Sequence, residues 1–132
     1  MPYPQLLYSK KVIEHFKHPK NVGCIKRADG IGRSSNDKTV FIELYIKVQD
    51  ETITDAKFKT FGCGAAIAAS SMVIELITGK SLAESLKISS TIIDEALDGL
   101  PQEKIHCSVL AEKALKAAIM DYRAKLDTTP SQ

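Results

Sequence analysis

Hydrophobic positions change period several times along this chain of 132 residues, and the changes mark out its elements. Val12, Ile13 and Phe16 recur at helical spacing within Tyr8 to Phe16, with Ser9 placed to cap the helix and Pro19 to stop it. From Asn21 to Asp37 the pattern lapses, and Gly23, Gly30 and Gly32 among polar groups predict a partly extended loop with room for a short edge strand. Period two then takes over. Val40, Ile42, Leu44, Ile46 and Val48 share one face of a strand over Thr39 to Val48, Asp50-Glu51 makes a turn, and Thr52 to Phe61 returns antiparallel.

Helical spacing resumes at Ala65 to Thr78, where Ile67, Ser70, Ser71, Ile74 and Leu76-Ile77 alternate packing and small-residue faces before Gly79. Ser81-Leu82-Ala83-Glu84 has the form of a capping box for a short helix to about Ile88, and Ser90 to Leu97 reads as another, ending before Gly99. Ser108 to Arg123 is the clearest amphipathic helix, through Ala111, Ala114-Leu115, Ala118-Ile119 and Tyr122; the tail from Leu126 to Gln132 is polar. Strands followed by a run of helices predict a single α+β domain over 1–132, with 8–123 as its ordered core and a small antiparallel sheet packed against several helices. No internal repeat or low-complexity linker interrupts it.

With 44% hydrophobic residues the chain can bury a core without covalent staples. Eighteen basic and sixteen acidic side chains leave a formal net charge of +2, which gives no argument for nucleic acid. The basic run from Lys10-Lys11 to Arg27 reads as a solvated face, with a protein partner as the alternative. Three cysteines cannot all pair within the chain, and no apolar amino-terminal segment suggests secretion, so a reducing cytoplasmic setting is expected, with a mitochondrion-like compartment left open. The longest apolar stretch, Cys63 to Val73, is too short and too rich in small residues to cross a bilayer.

Chemistry concentrates in Phe61-Gly62-Cys63-Gly64 and Ile105-His106-Cys107-Ser108, each just before a helical pattern. A helix start offers unpaired N–H groups and a positive dipole end that favour thiolate over thiol, and the glycines around Cys63 permit a tight turn that aims its sulfur outward. Alone, the Cys63 triplet reads equally as a buried cysteine in a small-residue turn, and His106-Cys107 reads more readily as a structural histidine beside an inert helix-start cysteine. Together, Cys63, His106 and Cys107 offer three ligands for iron or zinc, and Cys24, Asp37 or a partner residue could supply a fourth; a thiolate so placed can also attack an activated persulfide. No Gly-rich phosphate loop follows a strand. Ser70-Ser71 and Ser89-Ser90 lack evident base partners, and helix packing and capping account for them.

Several long segments resemble the iron-sulfur cluster assembly scaffold family of IscU and the amino-terminal domain of NifU. They are Tyr8-Ser9-Lys10-Lys11-Val12-Ile13-Glu14-His15-Phe16 with Pro19-Lys20-Asn21-Val22-Gly23, then Asp55 through Ala68, Leu76 through Leu82, and Ile105 through Ala114. The resemblance covers roughly residues 8–123 and implies the IscU/NifU-like fold and a carrier rather than an enzyme. It further implies sulfur receipt from a cysteine desulfurase, a [2Fe-2S] cluster held for transfer to acceptor proteins, and recognition by Hsp70-type and J-protein chaperones. Carried over, Cys63 is the central ligand, His106 an alternative cluster or zinc ligand, and Cys107 the persulfide acceptor and iron ligand. The chain departs from the family at two places. The first family cysteine, in a Cys-Gly-Asp motif before the long strand, is absent from Ser34-Ser35-Asn36-Asp37-Lys38-Thr39, where Asp37 stands in for the aspartate; Cys24 lies too early to match directly. Leu100-Pro101-Gln102-Glu103-Lys104 replaces the family's Leu-Pro-Pro-Val-Lys, which alters the backbone restriction and charge of the chaperone-recognised segment. A zinc-binding or partner-binding paralogue without cluster assembly is the alternative reading, and a homodimer could complete one cluster from two incomplete sites.

Overall fold

A computed structural model describes residues 8–36, 40–62 and 64–128. Asp37, Thr39 and Cys63 lie outside the described residues, as do 129–132 of the expected polar tail. The elements run α1 (Lys10–Lys17), β1 (Gly30–Ser35), β2 (Phe41–Gln49), β3 (Thr52–Phe61), α2 (Gly64–Ile77), α3 (Leu82–Ser85) and α4 (Ser90–Ala96). A 3-10 turn at Gln102–Lys104 then leads into α5 (Ile105–Thr128). The three strands form one antiparallel sheet in the order β1-β2-β3, and the α+β architecture expected from the pattern is the one observed.

Period two in β2 divides the sheet into two faces. Val40, Ile42, Leu44 and Ile46 are buried on the inner face, joined there by Ile53, Ala56 and Phe58 of β3. Asp50 and Glu51 turn the chain with positive φ values of 53° and 64°, the left-handed pair that matches strand twist in a tight hairpin. A register shift falls between Lys47 and Val48, where Asp29 Oδ2 accepts a 2.8 Å hydrogen bond from the Val48 N–H.

α2 and α5 cover the inner face. α2 buries almost its whole circumference, from Ala65 and Ala66 to Ile74 and Ile77, because Ala and Ser allow sheet and helices to approach it together. Ser70 donates to the Ala66 carbonyl at 2.8 Å and Ser71 meets His15, so both act in packing. Ser81 and Glu84 form the expected capping box, and Ser89 caps α4 by accepting from the Ile92 N–H.

The loop read from Asn21 to Asp37 contains the edge strand allowed for it, which carries Gly30 and Gly32 directly beneath α5, while two other local expectations shift. In α1 the buried pair is Val12 and His15, while Phe16 is 49% exposed: His15 takes the inward position because Ser71 and Glu75 satisfy both its ring nitrogens. The last helix begins at Ile105 and runs to Thr128, longer at both ends than the apolar stripe from Ser108 to Arg123. Lys104 N–H donates to Pro101 and Ile105 N–H to Gln102, so the 3-10 turn starts the helix early.

Candidate functional site

The register places three chain ends together. Ser35, Phe41 and Phe61 are paired neighbours across the sheet, so the exit from β1, the entry to β2 and the exit from β3 share one edge. α5 reaches the same edge. Ala118 lies against Gly30 and Ala114 against Gly32, so α5 runs antiparallel to β1 and its first turn points toward Ser35. Seven residues of helix separate Ala114 from Cys107 and three of strand separate Gly32 from Ser35, about 10 Å in each case. Cys107 therefore lies level with the end of β1, at the end of the sheet where Asn36, Val40 and Gly62 also lie.

Cys107 was expected to sit just before a helix, where the helix start favours thiolate, with its exposure left open. It is instead the third residue of α5 and is fully buried, because the early helix start turns it inward toward the sheet. His106, one residue earlier, is exposed, and its Nε2 lies 3.6 Å from Cys107 Sγ. The imidazole is thus placed between the sulfur and solvent, where it can exchange a proton with the thiol or share a soft metal with it. The buried hydroxyl of Ser108 follows with no hydrogen-bond partner.

Phe16 closes another side of this end. Its ring lies so near α2 that a Cβ built on Gly64 would come within 3.0 Å of it. Glycine after Cys63 therefore provides clearance for an aromatic ring as well as freedom for the turn. α1 holds that ring in place through Ser9, which donates to the Leu97 carbonyl, and His15, whose Nδ1 is 2.7 Å from Ser71 Oγ and whose Nε2 is 3.4 Å from Glu75.

Cys24 lies elsewhere. The Gly23 N–H donates to the Phe58 carbonyl at 2.7 Å on the free edge of β3, and the Asp29 N–H donates to Ile46 at 2.8 Å beside β1. Residues 24–28 must therefore cross the outer face of the sheet, because helices fill the inner face. Lys47 Nζ bonds the Arg27 carbonyl there at 2.9 Å, and the charge of Cys24 helps raise the pKa of Tyr45. Cys24 is exposed on this strap, on the opposite face from α5, and four strand residues, about 13 Å, separate Tyr45 from Phe41 at the site edge. Among the described residues no three His, Cys, Asp or Glu side chains converge on a metal-sized point.

The outer face holds a charge network that the strand pattern did not reveal. Glu43 is buried in mid-strand, accepting from the Tyr45 hydroxyl and from Arg33 Nε. Burial pushes its pKa up, but those two hydrogen bonds and the charges of Arg33 and Lys59 outweigh it and hold the carboxyl below its usual value. Tyr45 is pushed up to about 12 by burial and by the Glu43 carboxylate. The sequence signal was an acid and a phenol at alternate positions of β2, on the face opposite Ile42, Leu44 and Ile46, and the register then sets Glu43 between Arg33 and Lys59.

This meander beneath two long helices, with cysteine and histidine at one edge, is a NifU-like fold. The NifU-like N terminal domain family matches residues 7–129, and the chain belongs to that family. It is 52% identical over 120 residues to the iron-sulfur cluster assembly scaffold protein IscU 1 of Archaeoglobus fulgidus, covering 90% of this chain and 78% of that one. It is 50% identical over 125 residues to IscU of Escherichia coli strain K12, covering 91% and 97% of the two chains. Among solved structures, a NifU-like amino-terminal protein of Brucella abortus shares the fold with a TM-score of 0.64 at 16% identity, covering 93% of this chain and 96% of that one. No helix among the described residues is long and apolar enough to cross a membrane.

Proposed function

We propose that this protein is an iron-sulfur cluster assembly scaffold that accepts sulfur at Cys107 from a cysteine desulfurase and carries a [2Fe-2S] cluster as cargo. The observation that carries the reading is Cys107 beside His106 at the sheet edge where Ser35, Phe41 and Phe61 end, in a chain that matches its family over 7–129. Relatives half identical to it are named as IscU scaffolds.

In the transfer, Cys107 thiolate attacks the outer sulfur of a desulfurase persulfide. The S–S bond breaks, the enzyme's thiolate leaves, and Cys107 carries the persulfide, with no net change in oxidation state. His106 takes the thiol proton at the start. Because Cys107 is buried, the first turn of α5 opens for the exchange, and the preceding 3-10 turn is the weak point that permits this. Conversion to sulfide takes two electrons from an external reductant. Iron is then held by Cys63, His106 and Cys107, with Asp37 or a residue of a partner or second copy completing the shell. Cys24, on the far face, contributes only if the strap rearranges. Delivery to acceptor proteins follows, and the Pro101-Gln102 sequence at the 3-10 turn weakens dependence on Hsp70-type and J-protein chaperones.

The absent first cysteine favours a second reading, a zinc-binding or partner-binding paralogue, because hydroxyl and carboxylate are poorer iron-sulfur ligands than thiolate. Anaerobic native mass spectrometry after incubation with iron, cysteine and a cysteine desulfurase separates the two. A gain of two irons and two sulfides is the expected result. Zinc alone, with no sulfur bound, would overturn the scaffold reading, and persulfide without iron would reduce it to a sulfur relay.

A further inference from the structure

The outer face of the sheet is divided in two. The 24–28 strap crosses it at the level of Tyr45 and Lys47, between the Gly23 bond to Phe58 and the Asp29 bond to Ile46, and covers the half remote from the site. The half next to the site is open. There the register sets Phe61 beside Phe41 and Lys59 beside Glu43 beside Arg33, and Lys57 beside Tyr45 marks the border with the strap. Phe61 is 72% exposed, an unusual state for an aromatic on a sheet.

The charges of this half are one-sided. Glu43 is the acid between these cations among the described residues of the open half; it is buried and already bonded to Arg33 and Tyr45. The Lys59 side chain stays exposed and Lys57 half-exposed, with Arg33 72% exposed outside its contact with Glu43. An exposed aromatic with cations on the rows behind it has the composition of an interface anchor with a polar flank.

We infer that this face, with Phe61 at its site end and Lys59, Arg33 and Lys57 on the rows behind it, is a docking surface for the cysteine desulfurase, which meets it with an apolar socket flanked by clustered aspartate and glutamate. The inference rests on the scaffold reading and adds to it the face by which sulfur is delivered. Two observations select this occupant. The surface is continuous with the sheet edge where β3 leaves for the site, so a protein seated on Phe61 is also placed to reach that edge. Its charge calls for an acidic partner, while a net charge of +2 over the chain, with Arg33 already committed to Glu43, leaves too few cations for phosphate-backbone binding.

The test measures binding of the full chain to a purified cysteine desulfurase by calorimetry at low and moderate salt, with sulfur acceptance by mass spectrometry on the same samples. Wild-type affinity should fall as salt rises. Phe61→Ser and the pair Lys57→Glu with Lys59→Glu should each weaken binding about tenfold or more, while Lys80→Glu with Lys87→Glu, in and after the turn at the far end of α2, should leave it unchanged. Circular dichroism verifies the fold, and Lys57→Gln with Lys59→Gln replaces the reversal if that variant does not fold. Equal affinity of the wild type and the Phe61 and lysine variants overturns the surface and leaves the scaffold reading intact. Competition of a single-stranded RNA oligonucleotide with the desulfurase for this face would overturn the assignment to a protein partner. A wild type that neither binds a desulfurase nor accepts its sulfur overturns both the surface and the scaffold reading.

Discussion

Gly32 and Ala114 meet backbone to backbone: a Cβ on the glycine would lie 2.0 Å from the alanine carbonyl oxygen. Gly30 repeats the contact one helical turn away, 2.2 Å from the Ala118 carbonyl, so α5 rests directly on β1. Asp121 extends the seam, accepting a 2.9 Å hydrogen bond from the Ile31 N–H on the open edge of the strand. This seam sets both the distance of α5 from the sheet and the height at which Cys107 meets the end of β1.

Gly32→Ala must push helix and strand apart, since the clashing atoms are backbone and cannot rotate away. Overpacking of this kind is expected to cost about 3 kcal/mol or more. Gly79→Ala, where no atom lies within 4 Å but φ is +85°, should cost only about 1 kcal/mol of backbone strain. Urea midpoints of the two variants measure the difference; equal losses would show that the seam relaxes.

Cys107→Ser should abolish the one-sulfur mass gain after incubation with a desulfurase and cysteine. His106→Ala should retain the fold, because the ring is exposed, yet slow sulfur acceptance by at least about tenfold for want of the neighbouring proton acceptor. Time-resolved mass spectrometry reads both, and unchanged loading of Cys107→Ser would place the acceptor at another cysteine.

His15 joins α1 to α2 by bridging Ser71 and Glu75, and Ser71 also accepts from the Lys20 N–H at 2.8 Å. His15→Leu keeps the bulk but leaves the Ser71 hydroxyl with one fewer partner. A loss of about 1–3 kcal/mol is expected, together with faster amide exchange in α1, since this helix also positions Phe16 against Gly64. Hydrogen exchange confined to 10–17 would confirm the local effect; uniform change across the chain would contradict it.

Acid should loosen α5. The side-chain hydrogen bond from Lys116 lowers the Glu112 pKa, with the Ser90 N–H helping against burial. Burial raises that of Asp121, but the Ile31 N–H and Lys125 outweigh it and leave it lowered. Carboxyls depressed in the folded state stabilise fully above their unfolded values, 4.5 and 3.8, and lose that contribution as pH falls through the lower folded values. Denaturant midpoints should therefore fall from about pH 5 downward. Asp121→Asn should be less stable near neutrality and show a shallower acid slope; an unaltered slope would remove Asp121 from the account.

The elements themselves were largely legible from local pattern. β3 over Thr52 to Phe61, the Asp50-Glu51 turn and the caps at Ser9, Ser81 and Ser89 depend on nearest neighbours, which the sequence contains in full. The motifs around Cys63 and Cys107 likewise announced the family through residue order alone. Burial of Cys107, the inward turn of His15 and the burial of Glu43 depend on partners distant in the chain. His15 meets Ser71 and Glu75, Glu43 meets Arg33 across β1, and Cys107 takes its height from Ala114 resting on Gly32. Periodicity assigns a side chain to a face but cannot say whether a buried polar group will find its partner, or how closely two backbones will approach. The order of residues thus determined which chemistry this protein carries and on which elements. Tertiary packing decided which edge collects that chemistry, how deeply its sulfur lies and which face of the sheet remains open beside it.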